Sequence, residues 1–195
     1  MLLQFGAEYL RKVRSVKIGI AGAGGLGSNC ACNLVRSGFD NLKIADFDNV
    51  EVSNLNRQFY FQEQLGMPKV KALEESLKRI NPSVKVEALI VRLEKENIKN
   101  IFADCDIIVE AFDRAEYKTI LVEEMLSDGK FIVSASGLSG IGSSDDMRVN
   151  RIKENLVVVG DLKSDAAEVP PISPRVNIAA AKQADVILEH VLGLD

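Results

Sequence analysis

Residues 16 to 27, VKIGIAGAGGLG, join a β-branched apolar run to a glycine cluster that opens a helical pattern, and no other feature restricts the fold as much. A strand buried on both faces reads as a continuous apolar run, and a helix leaving its end through a tight glycine turn crosses back over the sheet. The junction therefore predicts a βαβ unit in a parallel sheet. Leu26, Cys30 and Leu34 mark the apolar face of the helix, and Gly38 stops it. A second strand, NLKIADFD, follows directly.

The alternation continues. EVSNLNRQFYF (residues 51 to 61) has neither helical nor strand periodicity and reads as a long functional loop. Pro68 opens a helix with Val70, Leu73, Leu77 and Ile80 on one face and the pairs Glu74/Lys78 and Glu75/Arg79 on the other; Asn81-Pro82 ends it. Strands follow at residues 84 to 90, 106 to 112 and 130 to 135, with helices around 94 to 101 and 115 to 127. After the Gly/Ser-rich loop 134 to 146, MRVNRI and NLVVVG form an antiparallel hairpin through Lys153-Glu154, and a last helix runs from about 175 to 192. The expected fold is α/β, a Rossmann-like doubly wound, mainly parallel sheet with a C-terminal antiparallel extension and a closing helix. The 195 residues, undivided by a linker, are expected to form one domain, residues 1 to 195.

Composition excludes several classes. Lys+Arg 24 against Asp+Glu 28 leaves a net charge of -4, which argues against a broad nucleic-acid-binding face. No apolar run reaches the roughly 18 residues of a membrane span, and the N-terminus has no signal-peptide core, so a cytoplasmic location is the expectation. Cys30, Cys32 and Cys105 match neither a disulfide framework nor a zinc site. His190, near the end of the last helix, reads as structural, and Asp145, Asp146, Asp161 and Asp165 as solvent-facing.

Gly22, Gly24, Gly25 and Gly27 fit G-x-G-x-x-G, between a buried strand and a helix. Glycines permit the tight turn, and the exposed N–H groups and helix dipole favour a phosphate. Asp46 ends the second strand 19 residues after Gly27, where a carboxylate accepts hydrogen bonds from a ribose diol. A dinucleotide oxidoreductase and a nucleoside-triphosphate enzyme fit these features equally. Arg57 and Lys69 add the positive charge that a triphosphate needs and an NAD pyrophosphate scarcely does. Asp113 ends strand DIIVEAF at the edge where open α/β sheets bind ligands; its position suits a magnesium ligand and a helix N-cap before Arg114 equally.

GAGGLGSN, DFDNVEVSNLNRQ, GMPKVKALEESLKRINP and EAFDRAEYKT occur in this order between roughly residues 16 and 135, and in them the chain resembles the ThiF/MoeB/HesA family of ubiquitin-activating-enzyme-like adenylyltransferases. The C-terminal PRVNIAAAKQADVILEHVLG is similar to the family's closing helix, and the whole chain most resembles the short branch of thiamine biosynthesis. The resemblance implies that Gly22, Gly24, Gly25 and Gly27 bind ATP, that Asp46 holds its ribose, and that Asn54, Arg57, Gln58 and Lys69 contact its phosphates. Asp113 would bind magnesium and assist adenylation, with Arg57 and Lys69 as the other catalytic residues. The reaction implied is activation of the C-terminal glycine carboxylate of a ThiS-like sulfur carrier as an acyl-adenylate with release of pyrophosphate, upstream of a sulfur donor or thiazole synthase, in a homodimer. An NAD-linked oxidoreductase, a noncatalytic interaction protein, and an enzyme acting on another carboxylate, such as a modified tRNA base or a peptide terminus, are the alternatives.

The chain departs from the family pattern. Arg114 and Lys118 stand where the family has Asn and Arg, and the lead-in that carries a partner-subunit arginine in relatives is some fifteen residues long, with Arg11 and Arg14 as candidates. No cysteine follows Cys105 and there is no CxxC, so neither structural zinc nor a covalent link to the carrier is expected.

Overall fold

The computed structural model describes residues 6–165 and 168–194; the first five residues of the lead-in lie outside them. The elements are α1 (Gly6–Arg14), β1 (Ile18–Ala21), α2 (Gly25–Arg36), β2 (Asn41–Asp46), α3 (Lys69–Ile80), β3 (Lys85–Ile90), α4 (Lys95–Phe102), β4 (Ile107–Glu110), α5 (Ala115–Ser127), β5 (Phe131–Ala135), β6 (Arg148–Lys153), β7 (Leu156–Gly160) and α6 (Ser173–Leu192). The strands form one sheet in the order β3-β2-β1-β4-β5-β7-β6. Every pairing is parallel except β6 with β7. The Rossmann-like sheet, its antiparallel extension and the closing helix are all present. Helix α1 was not among the expected elements; it docks through Val13, the Tyr9 hydroxyl donating to Ser37 O (2.8 Å) and Lys12 Nζ donating to Leu192 O (3.1 Å).

Burial follows position in the sheet. The inner strands β1, β4 and β5 are buried at every residue, as continuous apolar runs require, while the edge strands β3 and β6 are largely exposed. Charges on β6 (Arg148, Arg151, Lys153) suit an unpaired edge. One apolar layer joins the sheet to α2, α3 and α6 through residues such as Leu34, Leu73, Leu77 and Ile187; the other joins it to α4 and α5 through Ile98, Phe102, Leu121 and Met125. Each such fully buried side chain contributes about 1.5–3 kcal/mol. On the outer face of α3 Glu74 pairs with Lys78 (2.6 Å) and Lys71 (3.1 Å), whereas the expected Glu75/Arg79 pair is absent among the described residues.

Strand order places the site. The chain moves from β1 outward to β2 and β3, then returns to β4 on the other side of β1. The turns after β1 and β4 therefore diverge at the carboxyl edge and leave a crevice at the switch point. Gly22 turns the chain there with φ +101°, and a Cβ on it would meet Ala111 O at 2.9 Å. Gly27 lets α2 lie against the turn, since a Cβ would fall 1.9 Å from Gly22 O. Alanine stabilises an ordinary helix by about 1 kcal/mol over glycine. Here the contact is with backbone that cannot swing aside, so Gly27→Ala is expected to cost about 2–3 kcal/mol and lower Tm by roughly 5–10 °C. Thermal unfolding followed by circular dichroism checks this, and an unchanged or raised Tm contradicts it.

Candidate functional site

A cavity of 630 Å³ opens along the carboxyl edge, from the β2 end across the glycine turn and the β4 end to the loops after β5 and β7. Gly22, Gly24, Gly25, Asp46, Arg57, Gln58, Lys69 and Asp113 all line it, so most of the sequence-derived site converges. Gly27 and Asn54 do not. Gly27 acts through the close approach described above. Asn54 is buried in the 51–61 loop, where its Oδ1 accepts from Glu51 N–H at 3.0 Å and closes a short 3-10 turn.

The glycine turn is gripped from both sides. Asp46 Oδ2 accepts from Ala23 N–H (2.6 Å) and Oδ1 from Asp48 N–H (2.8 Å), while the buried Tyr60 hydroxyl donates to Ala23 O (2.6 Å). Burial raises the Asp46 carboxyl above the usual carboxylate range, against the pull of these two amides and of Lys69. Burial, with Asp46 and Asp48 nearby, likewise raises the Tyr60 hydroxyl, so it stays a protonated donor. Ser28 and Asn29, in the first turns of α2, tie the 51–61 loop to the turn. Ser28 Oγ accepts from Phe59 N–H (2.9 Å), and Asn29 Nδ2 donates to Gly25 O (2.7 Å) and Arg57 O (2.9 Å). A segment without regular periodicity is thus held by specific side chains, which places Arg57 and Gln58 beside the glycines. The Arg57 guanidinium donates to Ser53 O (3.0 Å) and Asn56 Oδ1 (2.7 Å).

Lys69 reaches the cavity because residues 48–50 run beside 66–69: Val50 N–H donates to Met67 O, Gly66 N–H to Val50 O and Lys69 N–H to Asp48 O, at 2.8–2.9 Å. The Lys69 ammonium, 8% exposed, is held by Asp48 Oδ2 at 2.8 Å. Beyond Asp46, Phe47 is 48% exposed and carries the Arg92 guanidinium 4.2 Å from its ring centroid, a cation–π contact on the cavity wall.

At the β4 end Asp113 is exposed and makes no hydrogen bond or ion pair among the described residues. The capping alternative fails. The N-cap of α5 is Arg114, with no side-chain capping bond. One carboxylate beside substrate phosphates is a usual setting for magnesium, which keeps much of its water shell, so Asp113 fits an ion arriving with a nucleotide. No group of three or more His, Cys, Asp or Glu among the described residues could form an all-protein metal site.

Beneath this turn lies a buried ionic network. Glu110, fully buried, accepts from Phe112 N–H (2.7 Å), from Ser134 Oγ (2.5 Å) and from Lys118 Nζ at both oxygens (3.1 and 3.0 Å). Lys118 spends its remaining donor on Ala135 O (3.0 Å). The network fastens the Phe112–Asp113 turn to the end of β5, and its only sequence signal was an acid within an apolar run.

On the β7 side Asp161 corrects its solvent-facing reading. Its Oδ1 accepts from Lys163 N–H and Ser164 N–H, both at 2.8 Å, and Oδ2 pairs with the buried guanidinium of Arg175, which also donates to Gly142 O (2.7 Å). Burial tends to raise the Asp161 carboxyl, but these bonds hold it below its ordinary value. Two loops are pinned together over the cavity. Asp165 is exposed on the rim, and Asp145 and Asp146 face solvent as expected.

Arg11 and Arg14 are exposed away from the cavity, Arg14 pairing with Asp40 at 3.4 Å. All three cysteines are free and buried; burial raises the Cys30 thiol and, with Asp104, pushes Cys105 up to about 12. His190 stacks on Phe131 with ring centroids 3.7 Å apart. No described helix is long and apolar enough to cross a membrane.

Over 142 residues the chain is 36% identical to the adenylyltransferase and sulfurtransferase UBA4 of Candida glabrata, covering 72% of this chain and 33% of that protein. Over 127 residues it is 40% identical to the sulfur carrier protein ThiS adenylyltransferase of Bacillus subtilis, covering 64% of this chain and 37% of that protein. The matches span about a third of the length of these curated relatives. Among solved structures, E. coli tRNA N6-threonylcarbamoyladenosine dehydratase (TcdA) in complex with ATP shares the fold with a TM-score of 0.88 at 18% identity, over 97% of this chain and 90% of that one. Residues 1–168 match the ThiF family over a stretch that contains the glycine turn, the 51–61 loop, Lys69 and Asp113, and the chain belongs to that family.

Proposed function

We propose that the cavity binds ATP with magnesium and transfers AMP to the C-terminal glycine carboxylate of a ThiS-like ubiquitin-like sulfur carrier, releasing pyrophosphate, for thiamine thiazole synthesis. The observation that carries this reading is the convergence on one cavity of the glycine turn, Asp46, Arg57, Gln58, Lys69 and Asp113, the last without a partner among the described residues. The name of the Bacillus subtilis relative supports the acceptor class.

The residues suit the reaction. An α-carboxylate, with a pKa of about 3.5, is already ionised at neutral pH, so its attack on the α-phosphorus needs no general base. As its oxygen bonds to phosphorus, the bond to the bridging oxygen of pyrophosphate breaks. The N-terminus of α2 and the turn's N–H groups receive phosphate oxygens, and Asp46 orients the ribose. Arg57 and Lys69 stabilise charge on the phosphoryl oxygens and the leaving group. Magnesium held by Asp113 supplies further charge neutralisation at the phosphates. With every cysteine buried, the acyl-adenylate passes to a separate sulfur donor or thiazole synthase rather than to a thiol of these residues. A cytoplasmic homodimer completes the reading.

Exchange of labelled pyrophosphate into ATP tests it. Exchange is expected with a sulfur carrier present and is lost when the carrier's terminal glycine is removed. Calorimetry is expected to show binding of ATP and not of NAD. Tight NAD binding without ATP binding refutes the reading, and exchange driven by another carboxylate reassigns the acceptor.

A further inference from the structure

We infer that Arg114 binds the β- and γ-phosphates of the nucleotide and is a specificity-determining residue of this site, an inference that rests on the ATP reading above. It follows from which cavity cations, besides the phosphate contacts Arg57 and Lys69 of that reading, are already committed within the protein.

Among the described residues six cations line the cavity: Arg57, Lys69, Arg92, Arg114, Lys118 and Lys163. The Lys69 charge is held by Asp48 at 2.8 Å. The three Nζ donors of Lys118 are consumed by both oxygens of Glu110 and by Ala135 O, so it cannot turn to a ligand without stranding a fully buried carboxylate. Arg92 lies over the Phe47 ring, and Arg57 donates to its own loop at Ser53 and Asn56. Of these six, only Arg114 and Lys163 have side chains with no hydrogen bond, ion pair or ring contact among the described residues.

Topology separates these two. The glycine turn that receives phosphate follows β1, and Arg114 follows β4, the sheet neighbour of β1. Lys163 follows β7, two strands farther along the sheet. Arg114 also stands next to Asp113 in sequence, so one turn presents a carboxylate for the metal and a guanidinium for the phosphates that the metal accompanies. A planar guanidinium grips two phosphate oxygens at once, which a single ammonium cannot do. On the ATP reading the N–H groups of the glycine turn and the N-terminus of α2 receive one phosphate. The free guanidinium therefore acts on the rest of the chain, the part that leaves as pyrophosphate.

Calorimetric titration of wild type, Arg114→Ala and Arg114→Lys with ATP and with AMP, each in magnesium, tests this. Arg114 is exposed and gives α5 no side-chain cap, so both variants are expected to keep the wild-type Tm. Arg114→Ala is expected to weaken ATP binding about tenfold or more while AMP affinity changes less than about twofold, and Arg114→Lys to recover part of the loss. Unchanged ATP affinity in Arg114→Ala, or an equal loss for AMP, overturns the inference while leaving the ATP reading intact. Failure of wild type to bind ATP overturns both.

Discussion

Asp113→Ala is expected to lower the rate of carrier-dependent pyrophosphate exchange by about 100- to 1000-fold, with ATP affinity changed less than about threefold. The magnitude is that of removing one preorganised charge-stabilising group from a transition state. The asymmetry follows from where the carboxylate acts. On the proposed reading the glycine turn, Asp46 and the cations hold the nucleotide in the ground state, and a metal held at Asp113 would act mainly as charge shifts to the departing pyrophosphate. Because Asp113 is exposed, has no partner among the described residues and does not cap α5, the substitution should leave Tm unchanged. Measuring kcat, KM and Tm together separates the cases. A drop in Tm with normal kcat makes Asp113 structural, and normal values of all three remove it from the reaction.

Glu110→Ala is expected to cost about 3–5 kcal/mol of folding stability, lowering Tm by roughly 10 °C or more. It removes a carboxylate that accepts four hydrogen bonds and leaves the Lys118 ammonium, 22% exposed at its side chain, with only Ala135 O. The unpaired charge, not the lost cavity volume, dominates. The paired change Glu110→Gln with Lys118→Met should therefore recover most of the loss, because it removes both charges and keeps the shapes. Chemical denaturation of the two single variants and the double variant gives the coupling directly. Additive losses would show that the pair contributes nothing beyond packing. Since Phe112 N–H is anchored by Glu110, the alanine variant should also lower kcat by loosening the turn that carries Asp113.

Locally encoded features were legible in the sequence. A β-branched run followed by glycines specifies strand, tight turn and helix within a dozen residues, because backbone sterics and burial periodicity act at short range. Pro68 and Asn81 bounded α3 for the same reason. The motif residues that sit at strand ends, Asp46 and Asp113, could be placed because the ends of parallel strands gather at one edge whatever the details of packing.

Pairings between segments distant in the chain were decided only by the tertiary structure. Asp161 read as a surface acid until the fold brought Arg175 to it. Asn54 carried a motif identity, yet its side chain closes its own loop and stays off the cavity. Cations that look equivalent in sequence, Lys69, Arg114 and Lys118, differ because Asp48 holds the first at the cavity wall, Glu110 consumes the donors of Lys118, and Arg114 has no partner among the described residues. The sequence by itself determined the strand–turn–helix order and the edge at which the chemistry gathers, since both follow from local sterics and the hydrophobic period. Which charges are neutralised inside the protein and which face a ligand depends on distances of a few ångströms between distant segments, and only the packed sheet determines those.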